Sequence, residues 1–291
     1  MKEVGQALRI VTDSVADLPP DLVRELSIEV VPIYFAFEDW AGPDDGRFDK
    51  TRIYQAMRNS SAAPTTAAPA PGEFLAAYQR LVEQGARDII GLFLASPLSS
   101  IATNARLAAQ QVQGARVHVL ESGQVSLGIG FQVLTAARAA AQGAGVEEVK
   151  RLVDEVARRT YVAGFLESIM FLRRGGRVSW ALAWVGDFLQ IKPLVFYHQG
   201  EATLLGKVRT YRRALTALVE WVRSLAPLEH LAFLHTDVAP EILEELEQAL
   251  GNLVPAGQKP WVIEVSPVFG AHVGPGAVGV ALVRAPSHLA R

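Results

Sequence analysis

Strand-like and helix-like runs take turns along the first half of this chain, and that alternation narrows its fold more than any other feature. Leu8, Arg9, Ile10 and Val11 read as a short buried strand, and Pro19 and Pro20 suit the first turn of a helix that reaches about residue 26. Residues 28–37 are rich in β-branched and aromatic side chains and read as a second strand. Gly42-Pro43-Asp44-Asp45-Gly46 has turn chemistry, and Asp49 is placed to cap a helix over about 50–58. A proline-stiffened loop over 60–71 leads to a helix over 72–83, a strand over 88–94, a helix to about 113 and a strand over 116–120. Helices over about 124–141 and 146–160 complete the series. Such alternation predicts a parallel sheet covered on both faces.

The second half has a different character. Residues 194–197 and 201–205 flank His198-Gln199-Gly200 as a hairpin-like pair, and helices are expected over about 211–225 and 240–250. Strands are expected over 231–234, 261–265 and 279–283. The reading is therefore α/β with two α/β domains: 1–160 with a mainly parallel sheet, and 161–291 with a mixed sheet. A chain of 291 residues is long enough for two domains.

Between the halves runs a segment with its own logic. Apolar bulk stands on both sides of Gly175-Gly176-Arg177, and residues 178–191 read as a helix whose one charge is Asp187. An all-round apolar helix is buried, spans a membrane or lines an apolar cavity. About a dozen residues is too short for a bilayer, which needs roughly 20. Core helix and wall of a lipophilic pocket both remain. In the second case Arg177, an always-charged fork beside an apolar wall, would receive an amphiphilic anion. Trp180, Trp184 and Phe188 recur at helical spacing, so this face borders a tail or packs the core, and Phe165, Ile169 and Phe171 are further tail candidates.

Four polar clusters follow expected strands: Thr12-Asp13-Ser14, Thr65-Thr66, residues 96–100 with Ser99, and His272 in a glycine-rich turn. The carboxyl ends of parallel strands form the ligand crevice of open α/β sheets. These hydroxyls either converge on one oxygen-bearing headgroup or cap their helices singly. His272 is open to a catalytic, a ligand-binding or a structural role. Arg209 sits at a strand end, facing crevice or solvent.

Several classes are excluded. The net charge of −2 lacks the basic footprint of a nucleic-acid binder. With no cysteine there are no disulfides, thiolate metal sites or thiol nucleophiles, and the six histidines show no metal-ligand spacing. The first six residues hold no apolar signal core, and the longest apolar run, 124–144, is interrupted by Gln132 and Arg138. No stable membrane insertion and a cytoplasmic location are expected. There is no nucleophile elbow and no P-loop. A triad drawn from Ser14, His272 and Asp13 finds no support in spacing. A serine/histidine hydrolase or acyltransferase acting on an acyl substrate, using Ser14, Ser99 or Thr66 with His272, stays open as the alternative function, since these hydroxyls and the imidazole could share one crevice. An interaction domain without a small ligand is a third class.

Taken together, a set of motifs in order resembles the DegV family of bacterial fatty-acid-binding proteins. They are Val11-Thr12-Asp13-Ser14 with Asp17-Leu18-Pro19, Val31-Pro32, Pro64-Thr65-Thr66, Leu98-Ser99, Leu172-Arg173-Arg174-Gly175-Gly176-Arg177, Ile191-Lys192-Pro193, Lys207-Val208-Arg209 and Gly270-Ala271-His272-Val273-Gly274-Pro275-Gly276. The resemblance implies a non-enzymatic carrier that takes no cofactor and holds one long-chain fatty acid such as palmitate, stearate or oleate in a crevice between or beside the two domains. In some members a separate fatty-acid kinase then converts the presented carboxylate to an acyl phosphate. By motif, Thr66 (or Thr65), Ser99 and His272 would contact the headgroup, with Ser14 nearby, and Arg177 and Arg209 would serve the kinase partnership. The family's usual Ser-Gln-Pro-Ser is Ala67-Ala68-Pro69-Ala70 here, and its Gly-Thr-Tyr is Ser100-Ile101-Ala102. Two hydroxyls and an amide are thus absent near the headgroup.

Overall fold

The computed structural model describes residues 7–177 and 191–286, where the chain forms two units. The first holds the chain as far as Tyr34 together with Ala67–Arg158; the second holds Phe35–Thr66 and the chain from Arg159 onward. In chain order, β1 (Leu8–Asp13), α1 (Pro20–Glu25) and β2 (Glu29–Val31) open the first unit. An excursion then carries β3 (Tyr34–Phe37), β4 (Trp40–Pro43), α2 (Lys50–Asn59) and β5 (Thr65–Ala67). The first unit resumes with α3 (Pro71–Glu83), β6 (Asp88–Phe93), α4 (Ile101–Ala109), β7 (Arg116–Glu121), α5 (Leu127–Ala141) and α6 (Val146–Arg159). The second unit continues with β8 (Thr160–Phe165), α7 (Met170–Arg174), β9 (Lys192–His198), β10 (Glu201–Val208) and α8 (Tyr211–Ser224). It ends with β11 (Leu228–His235), α9 (Pro240–Leu250), β12 (Trp261–Glu264), α10 (Pro267–Val273) and β13 (Val278–Arg284).

The sheet of the first unit runs β2-β1-β6-β7, every pair parallel. Ile89, Ile90, Leu92 and Phe93 of β6 are all buried, as expected of a parallel strand covered on both faces. α5 is apolar nearly all round and buried along its length, which explains why its pattern lacks a polar stripe. The carboxyl ends of the neighbouring strands β1 and β6 are stitched together by polar groups. Thr12 Oγ1 donates to the Leu92 carbonyl at 2.8 Å, and the Asp13 carboxylate accepts from the Leu94 and Val15 amides at 2.9 and 3.0 Å.

The second unit's sheet is mixed, in the order β10-β9-β8-β13-β11-β12. Only β11 and β12 run parallel among its pairs; the rest are antiparallel. Phe165, Phe233, Leu215, Leu218, Val222, Leu246 and Val280 form its core under α8 and α9.

Several local expectations change. The strand expected over 28–37 is two strands in different sheets, β2 and β3, because Pro32 has no N–H for a ladder. β4 occupies part of the expected turn at 42–46, and β5 lies inside the expected proline loop. β8, an interior strand, falls where the sequence shows only an apolar segment. The helix expected over 178–191, with Trp180, Trp184 and Phe188, lies outside the described residues but for its last residue, Ile191.

α5 begins at a strained residue. Ser126 has φ 48° and ψ −142°, a region nearly closed to side chains, and its hydroxyl donates to Asp17 at 2.5 Å. Both groups are buried. Ser126→Ala loses that charge-assisted bond, worth about 1.5–3 kcal/mol, and keeps the strain. Ser126→Gly loses the bond but also sheds strain of about 1–3 kcal/mol. Denaturant unfolding should therefore show the alanine variant to be the less stable by about 1–2 kcal/mol; equal stabilities would contradict this.

Candidate functional site

His272 does not sit in a turn. It lies on α10, where Ser266 caps the helix by accepting from the Phe269 amide, Pro267 occupies the first turn, and Gly274, at φ 78°, ends it. The glycines that read as loop therefore flank a short helix. The imidazole is largely buried, with Nε2 3.2 Å from Thr66 Oγ1 on β5. Alternation along β5 separates the two threonines: Thr65 is exposed, its hydroxyl 3.5 Å from the Ala36 carbonyl, while Thr66 pairs with the histidine.

The other ring nitrogen decides the tautomer. Nδ1 is buried and has no hydrogen-bond partner among the described residues. A buried N–H without an acceptor costs more than a buried lone pair without a donor. The proton therefore belongs on Nε2, which donates to Thr66 Oγ1. The threonine hydroxyl hydrogen is then free to be donated elsewhere.

Gly175 makes this burial possible. A Cβ built there would stand 2.5 Å from His272 Nδ1, so any side chain would push the ring away. The Arg177 guanidinium donates to the Gly175 carbonyl. Burial first, and then the charge of Arg177, hold the His272 pKa down at about 4. The ring is neutral at pH 7.

The remaining expected residues have the following positions. Phe165 is fully buried in the core under α8, edge-on to Tyr211 with ring centroids 4.8 Å apart. Ile169 precedes α7, and its carbonyl accepts from the Arg173 amide. Arg209 is exposed just past β10. Ser14 and Ser99, in the first unit, follow the carboxyl ends of the adjacent strands β1 and β6; Ser14 Oγ accepts from the Ile33 amide at 3.2 Å. Trp184 is outside the described residues. The Asp13 carboxylate accepts from the Val15 and Leu94 amides, one on each oxygen. A cleft of about 480 Å³ in the second unit is lined by Met57, Arg58, Glu167, Met170, Phe171 and Arg174 among others. Among the described residues there is no metal-binding group of three ligands, and no helix is long and apolar enough to cross a membrane.

This geometry can be set beside known proteins. A family model described as uncharacterised protein, DegV family, matches residues 7–285. The chain belongs to the DegV family. A DegV domain-containing protein of Deinococcus radiodurans is 34% identical over 279 residues, covering 95% of this chain and 98% of the relative. Among solved structures, one reporting fatty acid binding of a DegV family protein from Thermus thermophilus aligns at TM-score 0.86 and 30% identity, over 96% of this chain and 100% of that one. A DegV lipid-binding protein from Thermotoga maritima aligns at TM-score 0.82 and 26% identity, over 95% and 98%.

Arg58, Tyr54 and Glu167 are site neighbours that sequence reasoning passed over. The available signal was the spacing of Lys50, Tyr54 and Arg58 by four along a helix.

The depressed His272 pKa sets a pH dependence. The unfolded chain, with a histidine pKa near 6.5, binds the proton more readily than the folded chain, with about 4. The stability linked to this group is complete above about pH 6.5 and is lost as pH falls toward 4. Denaturant unfolding of wild type and His272→Gln across pH 4–7 should show the wild type losing extra stability on acidification. Parallel curves would contradict the assignment.

Proposed function

We infer that this chain holds one long-chain fatty acid, donates the Thr66 hydroxyl to its carboxylate, and performs no chemistry alone. The observation that carries the reading is the part-buried pair of Thr66 Oγ1 and His272 Nε2 at 3.2 Å: with the proton assigned to Nε2, a neutral His272 donates to Thr66 and leaves the threonine proton for an anionic oxygen. The fatty-acid-binding and lipid-binding DegV structures that share this fold support a lipid as the ligand. A buried carboxylate must keep hydrogen-bond donors or it takes up a proton. Neutral donors meet that need without a permanent ion pair.

The energetics suit a lipid. Burying a methylene is worth about 0.8 kcal/mol, so roughly 14 of them supply about 11 kcal/mol before ordering costs. Each hydroxyl donated to the carboxylate adds about 1.5–3 kcal/mol. The tail sets affinity, and the head sets orientation.

A carboxylate held by hydroxyls, and not clamped by a bidentate arginine, stays reactive toward a phosphoryl donor. The finer reading is that a separate fatty-acid kinase acts on it, with Arg177 or Arg209 steadying the negative charge that develops. Ser99 enters this reading through the family resemblance. The Thr66–His272 pair has the spacing of a hydroxyl and its base, yet the ring lacks the orienting partner that hydrolytic triads need, since Nδ1 is unpartnered among the described residues.

Mass spectrometry of protein purified natively and then denatured should release a C14–C18 acid in near-stoichiometric amount. Fluorescent fatty-acid titration should show Thr66→Val binding at least about tenfold more weakly than wild type, the lower bound for one such hydrogen bond. A smaller loss of the same sign is expected for Ser99→Ala. Absence of lipid, combined with no binding of added palmitate or oleate, would overturn the reading.

A further inference from the structure

Three side chains spaced by four residues along α2, Lys50, Tyr54 and Arg58, fall on one face of the helix. All three donate hydrogen bonds to the end of β12 or to the loops that follow β11 and β12. Lys50 Nζ reaches the Glu264 carbonyl at 2.7 Å, and the Tyr54 hydroxyl is shared between the Val265 and Ser266 carbonyls at 2.8 and 2.9 Å. Arg58 makes the densest set of contacts. It donates to the Asp237 carbonyl at 2.6 Å, the Asp237 carboxylate at 3.2 Å and Glu167 at 3.1 Å.

Four of these acceptors are backbone carbonyls at the ends of parallel strands, the edge where an open α/β sheet ordinarily receives its ligand. Here α2 occupies that edge. The same helix abuts α10: Tyr54 is fully buried, and a Cβ on Gly270 would stand 2.3 Å from its ring. Gly270 lies two residues before His272 on α10, and Thr66 lies seven residues after the last residue of α2. One helix face is thus fixed both to the element that carries the histidine and to the segment that leads to the threonine.

We propose that the Lys50–Tyr54–Arg58 face is the positioning device of the headgroup site, with Arg58 its principal residue, setting Thr66 against His272. Arg58 touches neither group and acts through the placement of α2. The proposal rests on the reading of Thr66 and His272 as the headgroup pair. Its own observable, the environment of the His272 ring, is independent of any lipid. Glu167 and Asp237 add a geometric requirement that a single charge would not satisfy, since the guanidinium spans two chain segments with one planar fork.

The test is an NMR titration of His272 in delipidated protein, wild type against Arg58→Met and Arg58→Lys, with a palmitate titration of each. Displacing Thr66 opens the ring to water, so in Arg58→Met the His272 midpoint should rise from about 4 toward the ordinary 6.5 and palmitate affinity should fall about tenfold. Arg58→Lys, which keeps the charge and one contact, should recover part of both. An Arg58→Met protein with lowered melting temperature but an unmoved His272 midpoint has lost stability alone, and the proposal falls. If Arg58→Met does not accumulate folded, Tyr54→Phe keeps the ring against Gly270 and carries the same comparison: a raised midpoint supports the device, an unmoved one overturns it. Should Thr66→Val bind palmitate normally while Arg58→Met still raises the midpoint, the positioning role stands and the headgroup reading fails.

Discussion

A neutral, largely buried imidazole whose Nδ1 meets no partner among the described residues is the constraint on which the site depends. Burying His272 beside Arg177 removes its charge, and with no partner at Nδ1 among the described residues the remaining proton is assigned to Nε2. From those two facts the direction of the Thr66 hydroxyl follows. The surroundings serve the same end: Gly175 gives up its side chain to admit the ring, and α10 is capped by Ser266 and ended by Gly274 so that it is short enough to present residue 272 near its last turn.

In the proposed function, the site takes an anion without spending a cation on it. Hydroxyl donors are weaker than an arginine fork, so most of the affinity has to come from apolar burial. That division suits a carrier whose cargo is long, greasy and singly charged. It also suits a carrier that must leave the charged end chemically available.

Much of the fold was legible in the sequence. Asp49 caps α2 through the Arg52 amide, the hairpin around His198-Gln199-Gly200 forms, and the first sheet is parallel, because each rests on local chemistry or on hydrophobic periodicity. The excursion over 35–66 was not legible. α2 reads as a helix wherever it docks, and its attachment depends on Lys50, Tyr54 and Arg58 meeting backbone carbonyls 179 to 214 residues away, which no periodicity records. The glycines around His272 misled for a similar reason: Gly270 is there to admit the Tyr54 ring, so it marks close packing inside a helix and not a turn. Among the hydroxyls, the pattern named Thr65 and Thr66 together, and only the alternation of β5 separates the one that meets the histidine from the one that faces solvent.

The protonation of His272 tests the Thr66–His272 arrangement most directly. A long-range proton–nitrogen NMR spectrum of the delipidated protein at pH 7, repeated with palmitate bound, reports which ring nitrogen carries the proton. A neutral ring with the proton on Nε2 and a bare Nδ1 is expected in both states. A proton on Nδ1, or a doubly protonated ring in the palmitate-bound protein, would mean that Thr66 spends its hydrogen on the histidine or that the histidine itself pairs with the carboxylate, and would contradict it.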